Sequence, residues 1–204
     1  FNVIENGYAT LDTLFAIAPW VFLFLVPAIT MRMFSEEKRS GTLDLLYTRP
    51  VSELQIILAK FLASWALVFC SLIPTLIYFW SVSRLGSPPG NMDMGGTWGS
   101  YIGLLFLGGI YAAIGLFASS LTGNQIVAFI LAVFLSFLMY LGFEFLSGTA
   151  ESGSTVFLIS RLGISYHYNS ISRGVIDSRD ILYFAGVIFL FVIGTRTVLQ
   201  SSKW

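Results

Sequence analysis

The hydrophobic residues of this chain neither alternate with polar ones nor form narrow stripes; they run in long blocks. From Val127 to Leu135 the order is Val-Ala-Phe-Ile-Leu-Ala-Val-Phe-Leu, with no polar residue at all. A strand of an outer-membrane barrel would turn polar at every second position, so the blocks read as helices. A bilayer core of about 30 Å takes roughly 20 mostly apolar residues per helix. Five windows meet that requirement: 14–33, 55–80, 99–119, 125–146 and 181–199. The pattern predicts an all-α polytopic membrane protein, folded as a single transmembrane domain over residues 1–204.

Composition agrees. The chain is 56% hydrophobic and only 11% charged, and its mean hydropathy is +0.80. A soluble domain carries about 25% charged residues. Eleven basic residues balance eleven acidic ones, which excludes a basic nucleic-acid binder and a charged disordered linker. Inside the windows charges are few, Lys60, Glu144 and Arg196 with Arg32 at the edge of the first, each near an end from which a side chain can snorkel to water. Pro19, Pro27 and Pro74 fall within windows, where proline bends a helix.

Sidedness follows from the basic residues. One side, with the loops after the first and third windows and the C-terminal tail, holds seven: Arg32, Lys38, Arg39, Arg49, Lys60, Arg196 and Lys203. The other side has about twice the loop length and four: Arg84, Arg161, Arg173 and Arg179. The positive-inside rule then puts the C-terminus in the cytoplasm and Phe1 outside. An external Phe1 leads to the expectation of one further span upstream, six in all.

Catalytic chemistry finds no support. None of the three lysines (Lys38, Lys60, Lys203) follows glycine, so no phosphate-binding Gly-Lys-Ser/Thr loop exists. One cysteine (Cys70) and one histidine (His167) cannot build a zinc site, and the lone cysteine cannot close an internal disulfide. His167, flanked by Tyr166 and Tyr168, is expected in a loop at the membrane interface. Glu144 is the one acid within a window, and its expected place is in water near the outer face. We expect no catalytic, cofactor-binding or metal-binding residue.

Two stretches carry more information. The third window holds small residues four apart, Gly99/Gly103, Gly108/Ala112 and Gly109/Ala113, which allow helix backbones to approach closely. Packing within the bundle and a subunit interface both use such spacing. The loop after the first window reads Ser-Glu-Glu-Lys-Arg-Ser-Gly-Thr-Leu-Asp-Leu-Leu from Ser35 to Leu46, then Arg49-Pro50-Val51-Ser52. Ser35 with Glu36 and Glu37 starts a short helix. Gly41 breaks it, Thr42 caps a second one, and Pro50 stops that. Ser52 and Gln55 form a capping box for the second window. Leu43, Leu45 and Leu46 then make an apolar docking surface rimmed by charge, or an amphipathic helix on lipid headgroups.

This loop resembles the signature segment of ABC-2-type transporter permeases. Three further stretches, Trp98 to Leu105, Leu116 to Thr122 and Ser170 to Asp177, are similar to the gliding-motility-associated (F-type) permeases of Bacteroidetes, and the likeness covers essentially the whole chain. The resemblance implies a six-helix, type V exporter-like bundle of which the windows are spans two to six. It implies a coupling helix over 35–50 that seats on an ATP-binding subunit through Glu36, Glu37, Lys38, Arg39, Gly41, Thr42, Leu43, Leu45, Leu46, Thr48 and Pro50. A re-entrant segment over 147–180 would form the outer gate, with Tyr166, His167, Tyr168, Arg173, Gly174 and Asp177. Asp177 and Asp180 read as cap and third residue of the last span. ATP and Mg would reside in the partner ATPase, and this chain would bind no cofactor. Further implied partners are a second permease copy, an accessory G-type subunit with an external domain, and the lipid of a bacterial inner membrane. The function implied is ATP-driven export or envelope work supporting gliding; the alternative is a non-transporting scaffold that passes ATPase motion to an envelope complex.

Overall fold

A computed structural model describes residues 10–43, 51–86, 92–148 and 153–201, and it contains no strand among them. The helices are α1 (Asp12–Thr30), α2 (Ser35–Ser40), α3 (Glu53–Leu72), α4 (Leu76–Leu85), α5 (Met94–Leu121), α6 (Gln125–Phe137), α7 (Phe143–Gly148), α8 (Gly153–Ser160), α9 (Ile164–Ser172) and α10 (Ser178–Ser201). Five stretches are long and apolar enough to cross a membrane: Asp12–Ser40, Glu53–Leu85, Met94–Leu121, Gln125–Gly148 and Ser178–Ser201.

Most observed helices outrun the predicted windows, because apolarity stops earlier than the backbone does. Helix α3 begins at a capping box in which Ser52 accepts from the Gln55 N–H and the Gln55 side chain accepts from the Ser52 N–H. Asp93 caps α5 by accepting from the Gly96 N–H at 3.0 Å, and Asn124 caps α6 by accepting from the Ile126 N–H at 2.9 Å. The first window erred the other way. Helix α1 ends at Thr30, and a turn separates it from α2.

Pro74 interrupts the second span as a 3-10 turn over Ile73–Thr75. Proline lacks the N–H that would continue the ladder, so carbonyls are freed. Side chains bind neighbouring carbonyls at the turn: Thr75 donates to the Leu72 carbonyl at 2.6 Å and Tyr101 donates to the Thr75 carbonyl at 3.1 Å. Pro19 and Pro27, by contrast, lie within an unbroken α1. The fourth span contains a π turn over Leu138–Gly142, which carries the buried Tyr140.

Helix α5 is the central post. In its apolar window 78% of residues are buried, against 22–39% in the other four spans, which leave most of their surface uncovered by this chain. Its small residues explain the position. A Cβ placed on Gly108 would lie 2.5 Å from Val68 of α3, and one on Gly109 would lie 3.2 Å from both Trp65 and Ile188. Gly103 receives the Tyr168 ring, and Gly115 faces the Thr30 hydroxyl so closely that a Cβ would overlap it. Ala112 and Ala113 are fully buried. Each small residue thus admits a neighbour from inside this chain.

Candidate functional site

Two polar constellations stand at opposite ends of α5. The first is the elbow between α1 and α3. Helix α2 has no side-chain cap of its own. Ser35, expected to open the helix as its cap, instead lies inside it and donates its hydroxyl back to the Met31 carbonyl. The cap comes from α5: the Ser119 hydroxyl accepts from the N–H groups of Phe34 and Ser35 at 2.9 and 3.0 Å. It also donates to the Met31 carbonyl at 3.0 Å. One fully buried hydroxyl therefore uses its donor and both acceptor sites.

Charged residues fasten the same elbow. Lys38 donates to the Ser120 carbonyl at 2.5 Å. Lys60 pairs with Glu37 at 2.5 Å, donates to the Met33 carbonyl and lies 4.7 Å over the Phe34 ring. Lys60 was expected to snorkel into water; with its side chain only 18% exposed, it is an internal tie. The reason is supply of acceptors: the turn at the end of α1 leaves carbonyls unpaired, and an ammonium has three donors to give. Gly41 closes α2 at φ +69°, with the Gly41 and Thr42 N–H groups bonded to the Lys38 and Glu37 carbonyls. That is a Schellman closure, which needs a left-handed residue.

Of the predicted elbow residues, Glu36, Arg39, Gly41 and Thr42 are exposed, while Glu37 and Lys38 are turned inward. Leu43 packs, half-buried, against the chain's own core. Leu45, Leu46, Thr48 and Pro50 lie outside the described residues.

The second constellation is the cap formed by α8 and α9. Sequence placed His167 in an interfacial loop; it lies on α9 and is 9% exposed. Its Nδ1 is 2.6 Å from Oδ1 of Asp180, and its Nε2 is 2.8 Å from the Arg161 carbonyl. The ring stacks on Tyr183 at 3.9 Å, with Tyr166 edge-on at 5.3 Å. The Asp180 carboxylate is therefore engaged by histidine. Asp177 does serve the α10 terminus, accepting from the Arg179 N–H at 2.9 Å. Tyr168 donates to the Phe15 carbonyl at 3.0 Å, and burial pushes its hydroxyl well above the usual tyrosine range. Gly174, at φ +84°, lies against Gly95 and Gly96, where a Cβ would come within 2.6 Å of the Gly95 backbone. Arg173 is exposed. Glu144 is exposed and accepts from Ser165 at 3.2 Å.

The bundle also holds two cavities. A half-polar one of about 330 Å³ is lined by Asp12, Ser100, Tyr140, Tyr168 and Asn169. An apolar groove of about 520 Å³ runs between α1 and the α3–α4 span. No His/Cys/Asp/Glu group able to hold a metal ion occurs among the described residues.

Ser119 and Ser120 are the site residues that sequence reasoning passed over, while Asp180, read there as a helix-terminal residue, has His167 as its partner. The serines fall in the stretch Leu116 to Thr122, whose small polar pair at a span end was the available signal.

The fold and these sites define a multi-pass helical membrane protein, with its polar fastenings at the two ends of an apolar bundle. Residues 3–195 match the family described as ABC-2 family transporter protein, and the chain belongs to that family. It is accordingly a permease component of an ABC transporter, in a family that works with an ATP-binding partner and is typically non-catalytic itself. No curated protein matches the chain.

Proposed function

We propose that this chain is the inner-membrane permease through which a separate ATPase, closing on ATP, drives export or envelope work that supports gliding. Two copies form the working unit, beside an accessory G-type subunit with an external domain. The observation that carries the reading is the elbow. Ser119 and Lys60 fix α2 to α5 and α3 together, so a push on the exposed Glu36, Arg39 and Thr42 is delivered to the central post and not absorbed by a loose loop. A stiff element between partner and bundle is what conversion of ATPase closure into helix movement requires.

The docking contact is assigned to the leucines at 45 and 46, on the ground of their pattern and of the family resemblance. Burying one leucine at an interface is worth roughly 1.5–3 kcal/mol, and an aspartate there adds an unpaired charge. A Leu45→Asp, Leu46→Asp permease should lose at least about tenfold in ATPase affinity, at about 1.4 kcal/mol per decade. Copurification of the ATPase with that variant is the test. Undiminished association and ATP turnover, in a variant that inserts normally, would sink the coupling assignment. Retained ATP turnover with no export of any cargo, yet full gliding, would favour the scaffold.

A further inference from the structure

We propose that the half-polar cavity where α1, α5, α9 and the π turn of the fourth span meet binds an organic ammonium group. Four polar side chains line its volume of about 330 Å³: Asp12, Ser100, Tyr140 and Asn169. Among the described residues, none of these four side chains has a hydrogen-bond or ion-pair partner. Ser100 and Tyr140 are only 4% and 8% exposed. A hydroxyl buried that far normally finds a partner, because leaving it unpaired costs stability. Two such hydroxyls bordering one space mark a site made to be filled. Tyr140 is held there by a π turn, a backbone form that occurs frequently at functional positions. Its ring packs edge-on against Trp20 and Tyr111, at 6.2 and 6.5 Å.

The lining selects the ligand. Its one charged group is the Asp12 carboxylate, in the exposed first turn of α1, and no basic residue lines the cavity among the described residues. An anion would meet only like charge there. Calcium takes six to eight oxygen ligands, and this lining offers a single acid. The rings decide between the remaining cations. Phe15, Tyr140 and Tyr168 border the same space, and aromatic faces attract ammonium groups carried on a ligand, quaternary ones above all. Tyr168 is fixed by its bond to the Phe15 carbonyl at 3.0 Å and by the close fit of its ring to Gly103, so this wall stands before a ligand arrives. Ser100, Tyr140 and Asn169 add neutral oxygens for an ammonium N–H or an adjoining hydroxyl. The volume lies at the low end for ligand pockets, the size of a small headgroup. An aminophospholipid headgroup and a soluble amine share this chemistry. The site does not rest on the coupling reading, and its test needs no ATPase.

Choline is the probe, because its charge does not titrate. Equilibrium binding of radiolabelled choline to the full chain in maltoside micelles should be saturable, at one site per chain. Dimethylbutanol, its neutral carbon isostere, should compete at least about tenfold more weakly. Asp12→Asn removes the carboxylate at an exposed position, where the fold tolerates it, and should weaken choline binding about tenfold. Asn169→Lys, also at an exposed position, sets a like charge at the cavity from α9 and should weaken binding at least as much. No saturable binding, equal competition by the isostere, or undiminished binding in either variant overturns the site. The same assay separates the two sources. Displacement of choline by phosphatidylethanolamine and not by phosphatidylglycerol assigns the site to a lipid headgroup; displacement by neither assigns it to a soluble amine. Displacement by phosphatidylglycerol as strong as by phosphatidylethanolamine would show that the ammonium is not what is recognised, and would also overturn the proposal.

Discussion

The ammonium of Lys60 lies 2.5 Å from a carboxylate oxygen of Glu37, and through it the first turns of the second span are tied to the elbow that follows the first. The partners are 23 residues apart in sequence, one in the elbow helix α2 and the other in α3. The second carboxylate oxygen of Glu37 is buried and has no partner among the described residues. Lys60 is therefore the group that makes burial of this acid tolerable.

Lys60→Ala should be far more damaging than its place near a helix end implies. It strands a mostly buried carboxylate and leaves the Met33 carbonyl unpaired. Breaking a buried pair from one side costs about 3–5 kcal/mol, and the partial exposure here brings the expectation to about 2 kcal/mol. A thermal melt of the purified chain measures it. Removing both partners together, Lys60→Met with Glu37→Gln, should recover more than half of the loss. A double variant as unstable as Lys60→Ala would show that the pair is incidental.

Ser119→Ala removes the one side-chain cap that α2 has. Two N–H groups lose their acceptor, at a cost of about 1–2 kcal/mol. Exchange of the amides at 34–40 should accelerate about tenfold, while amides in the middle of α5 keep their protection. Equal acceleration in both places would mean that the bundle as a whole had loosened and that Ser119 is no local fastening.

How far these features could be read in advance depends on the distance over which they act. The five spans follow from runs of apolar residues, the small-residue face of α5 from the spacing of Gly99, Gly103, Gly108 and Gly109, and the start of α3 from Ser52 and Gln55. All are local. The Ser119 cap joins residues 85 and 84 positions apart in sequence, and no local pattern announces it. Lys60 was expected to reach water and His167 to lie in a loop at the membrane interface, because a lone charged or titratable residue near an apolar block ordinarily goes to that boundary. What reversed the reading was a partner from another element: Glu37 for one, Asp180 for the other.

On topology, the basic-residue bias leads us to propose that the elbow lies in the cytoplasm and α9 outside. With Cys70 replaced, Asn169→Cys should react with an impermeant maleimide in spheroplasts, and Thr42→Cys only after lysis; both positions are exposed. Labelling of position 42 in intact spheroplasts would invert the assignment and remove the elbow from reach of any ATPase.

Gly115→Ala tests whether α5 is packed by this chain's own helices. The added methyl would overlap the Thr30 hydroxyl, and it would also lie 2.8 Å from the Thr30 Cβ, so rotating that side chain does not clear the way. Thr30 is fully buried, and its hydroxyl is bonded to the Val26 carbonyl at 2.9 Å. Helix α1 must move outward or α5 must bend, and such overpacking costs about 1–3 kcal/mol. The variant's melting temperature should therefore drop by several degrees, since about 1 kcal/mol shifts a chain of this size by roughly 2–4 °C. Thr30→Ala in the same chain removes the hydroxyl and should restore part of the loss. Gly186→Ala is the control, because nothing lies within 4 Å of a Cβ there; it should leave the melt unchanged or raise it slightly, as alanine favours helix over glycine by about 1 kcal/mol. If Gly115→Ala melts like Gly186→Ala, α1 and α5 are not in the close contact described. The small-residue face would then be free to pack against a second subunit.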